Sequence, residues 1–131
     1  MHCPLHEHAE LVFNGPRAFY RPRGVISASL LVDLLCYVLL DVRAKGRSEA
    51  LINISAVTGF ESPDPSFRRW AVKRWAAAAA GSVRVALVMK GDLICPERTG
   101  VHTAAEEGFH AHVCSDEREA LEWLDVWHKL L

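Results

Sequence analysis

The chain has 131 residues, half of them hydrophobic and 24% charged, with a formal net charge of −1. That length fits one domain, residues 1–131, able to bury about two thirds of the surface its unfolded chain exposes, so no covalent or metal staple is required. The near balance of charge excludes a disordered chain and a broad basic footprint, and no nucleic-acid partner is expected.

The first residues are rich in histidine, with His2, His6 and His8 beside Cys3, and 1–8 are expected to be flexible. They lack the charged start and apolar core of a signal peptide. Strands are expected over 10–13 and 17–20, flanking Asn14-Gly15-Pro16. Asn-Gly between apolar runs signals a hairpin, and Pro16 predicts a turn longer than the two-residue type. Ser27 is an expected N-cap for a helix reaching about Ala44, with leucines and valines at helical spacing and Lys45-Gly46 as its stop. The run from Ser29 to Val42 is strongly apolar but shorter than the roughly 20 residues of a bilayer span, and it carries Asp33 and Asp41. It reads as a core helix, with no stable membrane insertion.

Residues 50–54 are too few for a helix and read as a buried strand. Pro63 and Pro65 interrupt regular structure, and Asp64 or Ser66 is expected to cap a helix to about Ala80, with Trp70, Trp75, Phe67 and Val72 as its burying residues. Core packing is the reading for Trp75 and Trp123 more than for Trp70. A β-branched strand is predicted over 82–89, then a helix started by Pro96 and carrying 99–107, a strand over 109–114, and a last helix capped by Ser115 or Asp116. Alternation of this kind predicts an α/β fold: a mixed, mostly parallel sheet of four or five strands with an N-terminal antiparallel hairpin and about four helices. Four separated cysteines, Cys3, Cys36, Cys95 and Cys114, form no pattern, so reduced thiols and a cytoplasmic setting are expected.

Three stretches, GVISASLLVDLL, LINISAVTGFES and RVALVM followed by FHAHVCSDEREALEWL, resemble the SpoIIAA-like branch of the STAS fold, small bacterial cytoplasmic domains. The resemblance implies a non-enzymatic regulatory or protein-binding domain, like the anti-sigma-factor antagonists, whose loop after the central strand meets a partner. It implies Ser62 as a phosphorylation site, although Glu61-Ser62-Pro63 departs from the family's acidic, serine and glycine pattern. A capping or loop serine is the other reading of Ser62. SpoIIAA-like domains are grouped by fold with CRAL-TRIO lipid-transfer domains, which implies a small apolar ligand as the alternative.

The candidate contact residues are therefore Thr58, Phe60, Glu61, Ser62, Asp64, Phe67, Arg68 and Trp70, with Asn53 and Ser55 just before them at the carboxyl end of the strand. A protein partner is expected, a homodimer is a candidate assembly, and no cofactor is expected. No G-x-S-x-G elbow or other catalytic set is present, so no enzyme activity is expected. Glu106-Glu107 and Asp116-Glu117 read as helix solvation or capping, and Arg68, Arg69, Lys73 and Arg74 as a solvated helix face. His110, His112 and Cys114 alternate on a strand and could share an ion, with Cys3, His6 or His8 as a fourth ligand. The other reading places them on the solvent-facing side of that strand, with no metal.

Overall fold

A computed structural model describes residues 4–94 and 98–130. Cys3, Cys95, the helix start at Pro96 and Leu131 lie outside the described residues. In chain order the elements are β1 (Leu11–Asn14), β2 (Arg17–Tyr20), β3 (Gly24–Val25), α1 (Ala28–Ala44), β4 (Glu49–Asn53), β5 (Val57–Thr58), α2 (Pro65–Ala79), β6 (Arg84–Val88), α3 (Thr99–Glu106), β7 (Ala111–Cys114) and α4 (Glu117–Leu130). The main sheet has the order β1-β2-β4-β6-β7, with β1 and β2 antiparallel and the remaining neighbours parallel. This is the expected mixed α/β architecture, with five strands in the main sheet. No helix of the described residues is long and apolar enough to cross a membrane.

The hairpin departs from its expected form. Asn14 pairs with Arg17, which leaves Gly15 and Pro16 as a two-residue turn. Gly15 adopts φ +58 while the proline ring keeps Pro16 at negative φ, and a left-handed first position alone is what a type II′ turn demands. Proline therefore fits the short turn instead of lengthening it. Within the N-terminal segment, Pro4–Glu7 forms a 3-10 turn against α1.

Helix ends follow the capping chemistry. The Ser27 hydroxyl accepts from the Leu30 amide, and the Asp64 carboxylate accepts from the Phe67 amide with Pro65 in the first turn of α2. Asp116 takes the same role for α4 by accepting from the Arg118 amide at 3.0 Å. The parallel pair of β3 with β5 is an addition; two residues on each side are too few to create a periodic signal.

Both faces of the sheet are covered. Ala50, Ile52, Val85 and Leu87 point under α1, α2 and α3, whereas Leu51, Ala86, Val88 and Cys114 meet Ala120 and Leu124 of α4. Strand alternation thus feeds two separate cores, which is why β4 is buried almost throughout. On the α4 side, Arg17, Glu49 and Arg84 stand directly opposite one another across three strands. Glu49 is 0% exposed, accepting from Arg17 Nε at 2.9 Å and from an Arg84 terminal nitrogen at 2.8 Å. Arg17 also reaches Asp125 of α4 at 2.9 Å, so the triad fastens that helix to the sheet.

Candidate functional site

A concavity lies between α1, α2, α3 and the sheet. It is a cavity of about 120 Å³, partly open to solvent, and its charged lining residues are Arg68 and Arg98. Leu31 and Leu35 of α1, Ile52 and Leu87 of the sheet, and Val101 and Ala104 of α3 form its walls. The space exists because α2 presents small Ala71 and Val72 to the core while its two tryptophans lie to the sides. Trp75 donates from its indole nitrogen to the Val32 carbonyl at 3.1 Å, and Trp70 turns outward, 44% exposed.

The mouth of the cavity is built from the segment expected to make contacts. Phe60, Pro63, Phe67 and Arg68 line it. Arg68 donates to the Pro63 carbonyl at 2.9 Å, the Ser62 hydroxyl at 2.8 Å and the Leu93 carbonyl at 2.8 Å, tying the loop to the turn after β6. An arginine with five donors in a fixed plane suits such a clamp. Thr58 lies in β5 with its hydroxyl 3.4 Å from the Gly24 carbonyl, Asp64 is occupied as a helix cap, and Glu61 and Ser62 are exposed. Trp70 packs tilted against Phe67 at 5.2 Å between ring centroids and 57° between planes, and lies 5.3 Å below the Arg74 guanidinium. Of the eight expected contact residues, Phe60, Phe67 and Arg68 converge on the cavity, while Thr58 and Asp64 are structural.

Asn53 and Ser55 also have structural partners. The Asn53 side-chain oxygen accepts from the Ser55 amide at 2.9 Å and hydroxyl at 2.6 Å, closing an Asx turn. Its amide nitrogen donates to Glu117 at 2.6 Å, and Arg21 grips the same carboxylate with two bonds of 2.8 and 3.0 Å. The Arg21 hydrogen bonds, helped by Asn53, hold the Glu117 carboxyl below its usual range against a smaller opposing effect of burial. A carboxyl depressed in the folded state contributes stability above its unfolded pKa and loses it as pH falls through the folded value. Arg21→Gln is therefore expected to lower the melting temperature at neutral pH, with the gap from the parent closing as thermal scans descend to about pH 3. Arg21 and Glu117 are both partly solvated, so the gap shrinks in high salt.

A third group lies on the α4 side. His112 and Cys114 project from β7 toward α4, and the Glu119 carboxylate from its first turn meets His112 Nε2 at 2.8 Å. The ligand atoms of His112, Cys114 and Glu119 all lie within 4.8 Å of one another. His112 and Cys114 are thus not on a solvent-facing strand surface, because α4 covers that face. His110 is exposed, precedes β7 and is not in the group, and the turn carrying His6 lies against α1 on the opposite face. The sequence signal for Glu119 as the third member is the spacing H-x-C-x-x-x-x-E across a strand-to-helix junction.

No family model matches the chain, and no curated protein matches it. A solved structure described as "Crystal Structure Analysis of Mglu" is similar at 20% identity with a TM-score of 0.43, over 66% of this chain and 21% of that chain. This chain therefore spans about a fifth of that structure's length.

Proposed function

We propose that the chain is a non-enzymatic binding domain whose ligand is a small apolar molecule seated between α1, α2, α3 and the sheet. The observation that carries this reading is the cavity of about 120 Å³ with its nearly all-apolar lining and a mouth built from Phe60, Pro63, Phe67 and Arg68. Apolar cavities of about 150 Å³ stay dry and accept benzene-sized molecules. A ligand with one ring or a short branched chain therefore suits the enclosed part, and longer molecules would extend through the open side.

The magnitudes set the conditions of the test. Six buried carbons at about 0.8 kcal/mol each correspond to roughly 5 kcal/mol, hence a sub-millimolar affinity at best for the smallest ligands. Thermal shift with millimolar benzene, indole and short-chain alcohols is the suitable assay. Ala71, 3% exposed on the cavity wall, is the residue to enlarge. Ala71→Leu is expected to fill the space, keep the protein folded and abolish the shift produced by the probes. An unchanged response in a folded Ala71→Leu protein, or no response in the parent to any probe, counts against the reading.

A second reading rests on exposed Trp70, packed against half-buried Phe67 beside the cavity mouth. Rigid aromatics dominate binding energies at protein interfaces, and this pair sits on the helix whose start Arg68 ties to the loop. In this reading the domain is regulatory, as the resemblance to SpoIIAA-like STAS domains of bacterial cytoplasm implies, and the loop reports its state to a protein partner. Phosphorylation of Ser62 would place up to about two negative charges within reach of the Arg68 guanidinium and reorganise the clamp.

A further inference from the structure

We infer that His112, Cys114 and Glu119 form a site for a single divalent transition-metal ion of the zinc type. The inference is independent of the apolar cavity, which lies on the other face of the sheet.

The argument begins with strand geometry. Residues two apart on a strand share a face, so β7 delivers the His112 imidazole and the Cys114 thiol side by side toward α4. The Asp116 cap starts α4 immediately after β7 and brings Glu119 of its first turn back over the strand. The three ligand atoms lie within 4.8 Å of one another. Zinc bonds of about 2.3 Å to sulfur and about 2.0–2.2 Å to nitrogen or oxygen imply tetrahedral edges of roughly 3.3–3.7 Å. Shifts of about an ångström, within reach of side-chain rotation, would bring the group to those edges.

The surroundings prepare these ligands. The His112 ring stacks on Trp123 at 5.4 Å between centroids and 14° between planes, which limits its rotation and leaves Nε2 aimed at Glu119. Cys114 is 4% exposed, and its thiol donates to the Asp116 carbonyl at 3.3 Å, so the sulfur is fixed within the α4 core. Glu119 is 57% exposed at its side chain and leaves one flank of the site open to water.

The donor set selects the class of metal. Calcium and magnesium favour oxygen ligands, whereas one thiolate, one imidazole and one carboxylate suit zinc, cobalt or ferrous iron. Three protein ligands leave a fourth position for water, the arrangement of an open site rather than a closed structural one. An ordinary ion pair between His112 and Glu119 would need no buried thiol beside it.

The test uses the whole chain after chelator treatment, titrated with Co²⁺ followed by optical spectroscopy and with Zn²⁺ followed by calorimetry. The expected result is one ion per chain, with a near-ultraviolet thiolate-to-cobalt charge-transfer band and visible bands of tetrahedral strength. Cys114→Ser is expected to remove the charge-transfer band. His112→Gln and Glu119→Gln are each expected to weaken binding about tenfold or more. Glu119 is well exposed, so its replacement keeps the protein folded even where Cys114→Ser does not. Absence of a charge-transfer band in the parent overturns the inference. So does affinity unchanged in Glu119→Gln and His112→Gln but lost when His2, Cys3, His6 and His8 are replaced together.

Discussion

Glu49→Ala is expected to lower the free energy of unfolding by roughly 3–5 kcal/mol, because it strips the shared carboxylate from two guanidinium groups that remain largely buried. The Arg17 and Arg84 side chains are only 16% and 14% exposed. Since a domain has about 5–15 kcal/mol in total, the loss would take a large share of the stability. Urea denaturation of the parent and the variant measures it directly. The companion protein Arg17→Met/Glu49→Met/Arg84→Met removes all the charges at once and is expected to recover most of the loss, as apolar replacement of buried ion triads can. A loss below about 1 kcal/mol in Glu49→Ala would mean that water, rather than the carboxylate, compensates the two arginines.

Gly59→Ala is the second large effect. Gly59 has φ +99, and a Cβ built there would lie 2.7 Å from Val25 Cγ1, 3.1 Å from the Ile26 nitrogen and 3.3 Å from the Ile26 oxygen. Two of those neighbours are backbone atoms of a fully buried residue whose amide donates to the Thr58 carbonyl at 2.8 Å. The chain cannot yield there without parting β3 from β5. Unfavourable φ alone costs roughly 1–3 kcal/mol, and the displacement of Ile26 adds to it. Gly24→Ala provides the comparison, since Gly24 has φ +97 but no atom near its virtual Cβ. Gly59→Ala is expected to be the less stable of the two and, alone, to accelerate hydrogen exchange at the Ile26 amide. Equal exchange in both variants would show that backbone strain, not the close approach, accounts for the effect.

Much of this architecture is legible from residues because the local signals agree with the packing. Ser27, the leucines of α1 and Gly46 mark a helix whose buried face is continuous, and the expected limits match Ala28–Ala44. The strand around Leu51 and Ile52 stands out as apolar throughout because a helix layer covers each side of it. Strand ends are less legible. Val83 and Met89 are buried like their neighbours but lie outside β6, so an apolar run cannot mark where the ladder stops. The Gly15-Pro16 turn is less legible because proline suggests a longer loop, whereas its fixed φ also satisfies the second position of a type II′ turn.

The candidate sites were legible only in part, for a physical reason. Arg17, Glu49 and Arg84 each look like surface charges in one dimension; only the register that sets them opposite one another makes a buried triad. Phe60, Phe67 and Arg68 stand close together in the sequence, yet an apolar helix face has the same pattern whether a neighbour fills the space before it or not. The cavity depends on the small volume of Ala71 and the sideways course of Trp75, which periodicity does not encode. Alternation pairs His112 with Cys114 but also admits His110 and passes over Glu119, because the strand begins at Ala111 and the chain returns through α4.

The unfilled space beneath α2 also gives the molecule a mechanical asymmetry. Hydrostatic pressure favours states that eliminate internal void, to a degree that scales with the volume removed. Compression would thus act first on the layer of α1, α2 and α3, admitting water past Arg68 and loosening α2. On the opposite face α4 lies over the buried cluster of Leu51, Ala86 and Leu124, none of which lines that space. The void therefore lies on one face of the sheet, and the Arg17–Glu49–Arg84 triad that fastens α4 lies on the other.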